Sequence, residues 1–466
     1  MYRVNCINSA AKKFVGRKSF LIALAAAVLV CFSFFSSSIN RTSSKVSASV
    51  PPFKSTGFFH TYFNGKRWWI VSPDGYPFYI NGVDHVSASP DVDQKTGLCP
   101  YCQTVAADYP SMSAWENDTV GRLHAWGFNT LGPWSDSTLY PKMPYTVLLS
   151  MASGSDWFAS SFVANAYNQA NSTVSQYKND PNLVGFFTDS ELRWGPDWTN
   201  QNDLLSQYLN LPPGSPGRVV ATKYAHDPNG FETALATRYF SVTTAAIRSV
   251  DPNHMILGVK MIAQLCPVQV LKVAAKYINA FSVDDYALVP GLNSFIQKAW
   301  PTYPNVKYSL TSIYDQIKIP IIVGEYSFRA KGGLNPNTWP PIYPTYSDQM
   351  TRSQAYESYV QHLYQEPFVV GDFWFEYTDE PQGGRFDGEN SDFGIVATND
   401  VPWSIFVTAV TNEHSLSPGI EANPLNQCWL YAVKGSNTYC ALKPPKCPGT
   451  FIQPVSNWPY CKIVKP

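Results

Sequence analysis

The chain has 466 residues, of which 45% are hydrophobic, 15% are aromatic and only 15% are charged. This composition excludes a disordered protein, and the length excludes a small disulfide scaffold. The formal charge of zero conceals an asymmetry, because residues 1–50 contain seven Lys and Arg and no acidic residue, which leaves 27 basic and 34 acidic residues in the rest. An acidic, aromatic-rich body disfavours nucleic-acid binding, which needs a basic face.

The N-terminal segment predicts export. A basic region, residues 1–19, precedes an apolar run from Phe20 to Phe35 within segment 20–36. The run is short for a transmembrane helix and slightly long for the apolar part of a signal peptide, so a signal-anchor and a cleaved signal peptide both remain open. The anchor would make the chain a single-pass type II membrane protein with a cytoplasmic N-terminus, and cleavage would make it a secreted protein. A Ser/Thr-rich stalk is predicted over residues 37–56.

The cysteines agree with an oxidising compartment. Four lie near the C-terminus and predict two disulfides in a small appendage, residues 411–466: Cys428, Cys440, Cys447 and Cys461. Cys99 and Cys102 form a C-x-x-C pair, and a local loop disulfide is favoured over a redox or zinc site because no second such pair accompanies them. Since seven cysteines follow the apolar run, one thiol stays free, and Cys266 is the candidate. Glycosylation sequons begin at Asn40, Asn117 and Asn171.

Short apolar runs alternate with helical segments over residues 57–410. Pro73-Asp74-Gly75 predicts the turn of a small N-terminal β-hairpin. Eight runs predict buried strands: Pro77–Val83, Phe128–Leu131, Tyr145–Ser150, Leu183–Thr188, Met255–Val259, Ala280–Val283, Pro320–Gly324 and Val369–Trp374. Buried strands that alternate with helices form a parallel sheet, and eight such units predict an α/β fold of the closed (β/α)8 TIM-barrel type that closes near residue 410. An open doubly wound sheet is the alternative, but no Gly-rich phosphate loop follows the first strand.

Polar and aromatic residues recur just past the predicted strands, where barrel chemistry belongs. They are Asp84-His85, Trp134-Ser135-Asp136, Asp189-Ser190-Glu191, Asp284-Asp285-Tyr286, Glu325 with Arg329, and Trp374 with Glu376. The sequence shows neither a metal-ligand set nor the G-x-S-x-G nucleophile elbow. No metal and no cofactor is therefore predicted.

Two of these carboxyl groups predict a reaction. Glu191 follows the fourth predicted strand and Glu325 the seventh, and these strand ends are close in a barrel. Glycosidic cleavage needs such a pair, because one carboxyl protonates the leaving oxygen while the other attacks the anomeric carbon, with retention if they lie about 5 Å apart. Glu191 must then have a raised pKa so that it starts protonated, while Glu325 starts ionised. The predicted substrate is a polysaccharide or oligosaccharide that stacks on aromatic rings.

Several stretches of the sequence resemble clan A glycoside hydrolases, and more closely the agarase-like branch of the β-glycanases. The resembling stretches are WWIVSPDGYPFYINGVDHV, WGFNTLGPWSD, DPNLVGFFTDSELRWG, IPIIVGEYSFRA and VVGDFWFEYTDEPQGGRFDGENSDFGIV. The resemblance covers residues 57 to about 400 and implies that Glu191 is the acid/base and Glu325 the nucleophile. It also implies a sugar platform at Trp374 and a hydrogen bond from Tyr286 to the nucleophile. One departure is Ser190, where the clan usually has an Asn that holds the sugar 2-hydroxyl.

The predicted substrate-binding residues are His85, Trp134, Asp136, Ser190, Trp194, Tyr286, Arg329, Trp374, Asp387, Glu389 and Asn390. Several have structural alternatives that the sequence leaves open. His85 is also consistent with a core histidine, and Asp136 with a cap of the following helix. Trp194 and Trp198 are consistent with loop packing, and Asp284 and Asp285 with loop caps.

The two glutamates and the Gly-rich loop around residue 387 also have alternatives. Glu325 is consistent with an ion pair to Arg329, and Glu191 with pairing to Arg193 or Arg122. The loop GGRFDGENSDFG is consistent with a polar wall of a sugar cleft or with a self-bonded turn, whereas it lacks the full ligand spacing of a calcium loop.

Three classes of function are compatible with these patterns. A retaining β-glycanase requires both glutamates in one cleft with aromatic subsites. A carbohydrate-binding pseudoenzyme would keep the cleft without turnover, and Ser190 is the feature that favours it. A structural wall protein held by the anchor would need no aligned carboxylates.

Overall fold

The computed structural model describes residues 51–194, 204–263, 266–286, 309–340 and 343–419, together with the backbone of four short strands between residues 429 and 463. The chain divides into two units, Met1–Val50 and Pro51–Pro466, and the described residues belong to the second. Within these residues, no helix is both long and apolar enough to cross a membrane. The predicted N-terminal apolar segment, Trp198 and the side chains of the four C-terminal cysteines lie outside the described residues.

A small antiparallel sheet opens the described chain. It consists of β1 (His60–Phe63), β2 (Trp68–Val71) and β3 (Pro77–Phe78), in the order β1-β2-β3. Gly75 adopts a positive φ of 89°, which glycine tolerates without steric cost, in the predicted turn between β2 and β3. The predicted N-terminal hairpin is therefore present.

Ten further strands follow up to residue 374: β4 (Ile80–Val83), β5 (Thr130–Leu131), β6 (Tyr145–Leu148), β7 (Leu183–Ser190), β8 (Met255–Lys260), β9 (Phe281–Asp284), β10 (Ile321–Tyr326), β11 (Arg329–Ala330), β12 (Thr345–Tyr346) and β13 (Val369–Trp374). β11 and β12 form a separate pair, and the other eight form one parallel sheet in the order β8-β7-β6-β5-β4-β13-β10-β9. A bridge between Met261 and Val283 joins β8 to β9, and the Asp284 N–H donates to the Met261 carbonyl oxygen at 2.8 Å. The predicted (β/α)8 barrel is confirmed.

The barrel interior and the surrounding helices bury opposite faces of the same strands. One apolar cluster includes Ile322 and Val370, whereas their neighbours Ile321 and Val369 belong to a second cluster. Because side chains alternate along a strand, the first cluster fills the barrel and the second packs under the helices. Gly82 makes room inside, since a Cβ there would lie 2.2 Å from the ring of Phe373.

The N-terminal sheet closes one end of the barrel. Phe59, Ile70 and Phe78 belong to the same interior cluster as Ile80 and Met255, which begin β4 and β8. The sheet therefore plugs the N-terminal ends of the barrel strands. In this fold the site lies at the opposite end, at the C-terminal ends of the strands.

The helices of the described residues form the outer layer. They are Pro100–Asp108, Met112–Ala125, Ser160–Gln169, Ser175–Tyr177, Leu204–Leu209, Pro216–Lys223, Pro228–Val250, Val268–Ala274, Leu310–Ile317, Gln349–Gln365 and Ser404–His414, with a 3-10 turn at Ser137–Lys142 and a π turn at Ala170–Val174. Side-chain caps begin several of them. Asp227 accepts from the Gly230 N–H ahead of the longest helix, and Asp348 forms a capping box with Thr351.

The described cysteines match their predictions. Cys99 and Cys102 form a disulfide, with Cα atoms 5.2 Å apart, at the start of the helix Pro100–Asp108, which Cys99 caps. Cys266 is a free and buried thiol. Near the C-terminus, the backbone forms two antiparallel pairs, β14 (Trp429–Ala432) with β15 (Thr438–Ala441) and β16 (Phe451–Pro454) with β17 (Cys461–Ile463).

Candidate active site

Glu191 and Glu325 come together at the C-terminal ends of the barrel strands. Glu191 is the first residue after β7, where a left-handed backbone (φ 49°) and a hydrogen bond from its N–H to the Lys260 carbonyl oxygen at 2.6 Å turn the chain. Glu325 lies within β10 and is buried, whereas Glu191 reaches solvent. One carboxylate oxygen from each of Glu191, Asp284 and Glu325 lies within 4.8 Å of the other two.

Both carboxylate oxygens of Glu325 accept hydrogen bonds from charged or hydroxyl donors. The Lys260 ammonium lies 2.7 Å from Oε1, and the Tyr286 hydroxyl donates to Oε2 at 2.7 Å. The Tyr286 ring stacks on Tyr343 with centroids 4.7 Å apart, which fixes the direction of its hydroxyl. The predicted Tyr286 hydrogen bond is present, and the alternative ion pair between Glu325 and Arg329 is not the arrangement found.

Lys260 is a site residue that the sequence analysis missed. It ends β8, its side chain is fully buried, and its ammonium also lies 3.0 Å from Oδ2 of Asp84. The ammonium stands 4.4 Å from the ring centroid of Trp134, within cation–π range. Lys260 directly follows the predicted strand end at Val259, a position at which residues of a barrel active site are expected.

The environment of Glu191 gives it the character of an acid at neutral pH. Desolvation by the walls of the barrel mouth, followed by the negative charge of Glu325, raises the pKa of Glu191 to about 7. The alternative pairing of Glu191 with Arg122 is wrong, since Arg122 binds both carboxylate oxygens of Asp400 at 2.6 Å.

Two further carboxyl groups lie beneath this pair. Asp84 and Asp284 are both buried at the ends of β4 and β9. Among the described residues, Oδ1 of Asp84 and both carboxyl oxygens of Asp284 have no hydrogen-bond partner. Burial raises the pKa of Asp84 to about 8, and burial together with Glu325 raises the pKa of Asp284 well above its usual range. Asp284 is therefore not the loop cap that the sequence left open.

His85 binds a carboxylate rather than packing in an apolar core. Its backbone is left-handed (φ 56°), and its Nδ1 lies 2.5 Å from Oε2 of Glu376 and 3.8 Å from Oδ2 of Asp91. Burial opposes protonation of the ring, but Glu376 and Asp91 outweigh it and raise the pKa of His85. The predicted contact of His85 with a sugar remains a prediction.

Trp134 presents an aromatic surface at the barrel mouth. It is 42% exposed, and its ring meets Phe375 edge to face with centroids 6.2 Å apart. Its position near Lys260 keeps it beside Glu325. The predicted role of Trp134 in sugar binding is compatible with this position.

Asp136 holds the neighbouring loop. Its carboxylate accepts from the Ser87 hydroxyl and from the Ala88 N–H, both at 2.8 Å. It makes no cap to the helical turn that follows it, so that alternative is wrong. Ser190 ends β7 beside Lys260 of β8 and is half-buried, and its predicted sugar contact remains a prediction.

Trp374 is a core residue, which corrects its predicted role as a sugar platform. Its side chain is 1% exposed, its Nε1 donates to the Phe393 carbonyl oxygen at 3.0 Å, and its ring packs against Tyr326 and Phe406. No ring face is left for a sugar. Trp194 is likewise buried and packs against Tyr239, which is the loop-packing alternative.

Arg329 is a structural clamp, which corrects its predicted role in substrate binding. It is buried, and its donors bond the Thr345 and Ser391 hydroxyls together with the carbonyl oxygens of Trp339, Pro340 and Tyr343, at 2.8–3.3 Å. These five acceptors match the five N–H groups of a guanidinium. Asn390 is also committed to this region, because its Oδ1 accepts from the N–H groups of Thr338 and Trp339 at 3.0 Å, and its predicted sugar contact is corrected on the same ground.

The Gly-rich loop bonds to itself. Arg385 donates to Oδ1 of Asp387 at 3.0 Å and to Oε2 of Glu389 at 2.5 Å, and its guanidinium lies 5.3 Å from the Phe375 ring centroid. This is the self-bonded turn that the sequence left open. Sugar contacts by Asp387 and Glu389 remain predictions.

Within the described part of the chain, two groups of side chains have ligand atoms close enough for a cation: Glu191 with Asp284 and Glu325, and His85 with Asp91 and Glu376. In the first group the Lys260 ammonium contacts Glu325 directly. In the second the His85 ring is already hydrogen-bonded to Glu376, and the positive charge of Arg385 lies nearby. In each group, therefore, one carboxylate, Glu325 or Glu376, is already paired with a basic side chain, which disfavours a metal ion there.

Comparison with known proteins places this barrel beside agarases. The chain matches no protein-family model. It is 23% identical to beta-agarase B of Vibrio sp. (strain JT0107) over an alignment of 479 positions. The alignment covers 78% of this chain and 48% of that protein. It is also 23% identical to beta-agarase A of the same strain over an alignment of 481 positions, which covers 80% of this chain and 47% of that protein. The chain thus spans about half the length of these two relatives.

Solved structures support the same relationship at the level of the fold. The agarase AgWH50C superposes with a TM-score of 0.67 and 22% identity, covering 88% of this chain and 71% of that one. An exo-beta-agarase superposes with a TM-score of 0.63 and 21% identity, covering 87% and 71%. The chain has the barrel fold of these glycoside hydrolases, and the predicted resemblance to agarases is confirmed.

Proposed function

We propose that this chain is a retaining glycoside hydrolase that cleaves a β-linked polysaccharide by double displacement. The observation that carries the proposal is the approach of the Glu191 and Glu325 carboxylates to within 4.8 Å. Retaining enzymes place their carboxyl groups about 5–5.5 Å apart, whereas inverting enzymes keep about 6.5–9.5 Å to admit a water molecule. The distance therefore favours direct attack by one carboxylate.

In the first step, an oxygen of Glu325 attacks the anomeric carbon and the glycosidic C–O bond breaks. Glu191 donates its proton to the leaving oxygen, which departs as a hydroxyl group. The roles follow from the surroundings, because Glu325 has the Lys260 ammonium and the Tyr286 hydroxyl as donors, whereas the raised pKa of Glu191 keeps its proton available.

In the second step, the ionised Glu191 takes a proton from water while the water oxygen attacks the anomeric carbon. The bond to Glu325 breaks, Glu325 leaves as a carboxylate, and Glu191 is protonated again for the next cycle. Two inversions at one carbon give net retention of configuration.

We propose an agarose-like β-linked galactan as the substrate class. The names of the two Vibrio relatives support this choice. The exposed ring of Trp134 beside the carboxylates supports a sugar that stacks through its C–H face. The carboxyl groups around the mouth disfavour a strongly anionic polymer at the cleavage point.

We also propose export, with residues 20–36 as the signal or anchor, 57–410 as the catalytic domain and 411–466 as an appendage. The Cys99–Cys102 disulfide supports an oxidising compartment. Sequencing the N-terminus of the mature protein separates the two possibilities, because a cleaved signal gives a new N-terminus and an anchor leaves Met1 or its successor.

The test of the function is product release by the purified full chain from a panel of β-linked polysaccharides that includes agarose, porphyran and mannan. Glu325→Gln and Glu191→Gln are assayed beside the wild type, with Glu357→Gln on an outer helix as a matched control. We expect reducing ends from the wild type and the control, and a loss of about 1,000-fold or more in both active-site variants.

Two outcomes would contradict the proposal. Equal product release by wild type and Glu325→Gln would remove Glu325 from the reaction. Binding of the polysaccharide without cleavage by the wild type would favour the carbohydrate-binding alternative that Ser190 suggests.

A further inference from the structure

A single buried ammonium serves the carboxyl groups of the barrel mouth. The Nζ of Lys260 lies 2.7 Å from Oε1 of Glu325, 3.0 Å from Oδ2 of Asp84 and 4.4 Å from the ring centroid of Trp134. An ammonium has three N–H groups, and these two oxygens and one ring face provide a partner for each. No N–H group of Lys260 is therefore left to donate to Asp284.

The hydrogen bonds distinguish the carboxyl groups from one another. Glu325 receives a donor on each oxygen, from Lys260 and Tyr286. Asp84 receives Lys260 on one oxygen, whereas Asp284, 2% exposed, receives no donor among the described residues. A buried carboxylate without donors is strongly destabilised. Glu325 is thus the buried carboxyl group that is best prepared to carry a negative charge.

We propose that Lys260 is a positioning residue that keeps Glu325 ionised for its attack, while Asp284, which receives no donor among the described residues, is held as a neutral acid. This inference rests on the proposed function, in which Glu325 is the nucleophile. It explains how the carboxyl groups of Glu325 and Asp284 can lie close together although the ammonium donates only to Glu325.

The packing is shaped for this arrangement. A Cβ at Gly324 would lie 2.3 Å from the Ser282 hydroxyl, 2.8 Å from Oδ1 of Asp284 and 3.1 Å from Cε of Lys260. A larger residue at position 324 would therefore displace Lys260 or Asp284. The glycine beside Glu325 keeps the lysine at hydrogen-bond distance from the nucleophile.

Titratable groups near Glu325 come from several sides of the mouth. They are Asp84 and His85 after β4, Glu191 and Arg193 after β7, Lys260 on β8, Asp284 and Tyr286 around β9, and Tyr343 and Glu389 in the loops. Lys260 is the cation that contacts Glu325 directly. Burial opposes its charge, but Asp84 and Glu325 outweigh burial and raise the pKa of Lys260. Lys260 therefore stays protonated over the range of an activity assay.

The experiment measures the pH dependence of kcat/KM for the full chain on the polysaccharide that the wild type cleaves. Lys260→Met removes the counter-charge, so the acidic limb, which reports ionisation of Glu325, moves to higher pH by about 1–3 units. At a pH below that limb, kcat/KM falls by about 10- to 1,000-fold. Lys260→Arg keeps the charge and the position of the limb, and Lys318→Met, an exposed lysine, is the matched control.

Asp284→Asn tests the other half of the inference. Because this variant replaces an acid that is already neutral, its acidic limb stays within about half a pH unit of the wild type. An unmoved limb in Lys260→Met, or a shift in Asp284→Asn as large as that expected for Lys260→Met, would overturn the inference. If Lys260→Met does not fold, Lys260→Arg and Asp284→Asn carry the test, since a shift above one unit in either contradicts it.

A stability measurement keeps this test separate from the proposed function. An acid that stays protonated when folded but ionises when unfolded costs stability as the pH rises above its unfolded pKa of about 4. Asp284→Asn removes that cost, so its free energy of unfolding gains on the wild type from pH 5 to pH 8. An equal difference at both pH values would show that Asp284 is ionised in the folded protein, whether or not the chain hydrolyses a polysaccharide.

Discussion

The carboxylate of Glu191 lies within 4.8 Å of the carboxylate of Glu325, although the two residues follow different strands far apart in the chain. This proximity has an electrostatic consequence. Desolvation and the charge of Glu325 together raise the pKa of Glu191 to about 7. The same contact thus brings a nucleophile and an acid together and keeps the acid protonated below neutral pH.

The basic limb of the activity profile follows from this shift. Glu191 must be protonated to act on the leaving oxygen, so we expect kcat/KM to be retained below pH 7 and to fall as the pH rises through about 7. The measurement is a pH profile with the polysaccharide and with an aryl glycoside, whose leaving group needs no acid. We expect the basic limb with the polysaccharide and its absence with the aryl glycoside, on which Glu191→Ala keeps activity without that limb. A basic limb in Glu191→Ala on the aryl glycoside would assign the limb to another group.

Trp134 gives a prediction about binding. Trp134→Ala removes an exposed ring beside Lys260, and loss of a sugar-stacking contact of about 1–1.5 kcal/mol raises KM by about 10-fold with a smaller change in kcat. Trp134→Phe keeps a ring face and serves as the matched variant, with most of the affinity retained. Equal KM values for the wild type and both variants would show that the sugar does not reach Trp134.

Arg329 gives a prediction about stability. Arg329→Met leaves five hydrogen-bond acceptors without their donor, four on Trp339, Pro340, Tyr343 and Thr345 and one on Ser391. We expect a loss of about 2–4 kcal/mol in the free energy of unfolding. Arg218→Met, which removes one hydrogen bond to the Leu211 carbonyl oxygen, is the control and should lose less than about 1.5 kcal/mol. Denaturant unfolding measures both. A large rise in KM with unchanged stability would return Arg329 to the substrate-binding residues.

The barrel was predictable from the sequence because each buried parallel strand is a short apolar run between helices. The rule that barrel chemistry follows the strand ends then indicated Glu191, Glu325 and Tyr286, whose side chains do meet. The barrel topology alone brings Glu191 and Glu325 together. The prediction that they meet therefore needed no sequence motif around either residue.

The direction of side chains was not predictable in the same way. Phe373 fills the barrel interior and Trp374 packs under the helices, yet both stand in one apolar run. A strand buried on both faces gives no alternation from which to tell inside from outside. The platform assigned to Trp374 failed for this reason, whereas Trp134, in a loop at the mouth, remained exposed.

Partners distant in sequence were also hidden. Arg329 bonds a loop that begins ten residues later, and Lys260 joins Asp84 of the first barrel strand to Glu325 of the seventh. A lone Arg or Lys at a strand end does not reveal whether it meets a sugar, a carbonyl group or a carboxylate. Only the packed barrel decides this.

The anomeric configuration of the first product tests directly whether Glu325 acts as the nucleophile of a double displacement. Proton NMR during the first minutes of cleavage of a β-linked oligosaccharide by the full chain reports which anomer of the new reducing end forms before mutarotation. We expect the β-anomer first, since displacement by Glu325 and then by water inverts the anomeric carbon twice. The α-anomer first would demonstrate a single displacement by water and would contradict the assignment of Glu325 as the nucleophile.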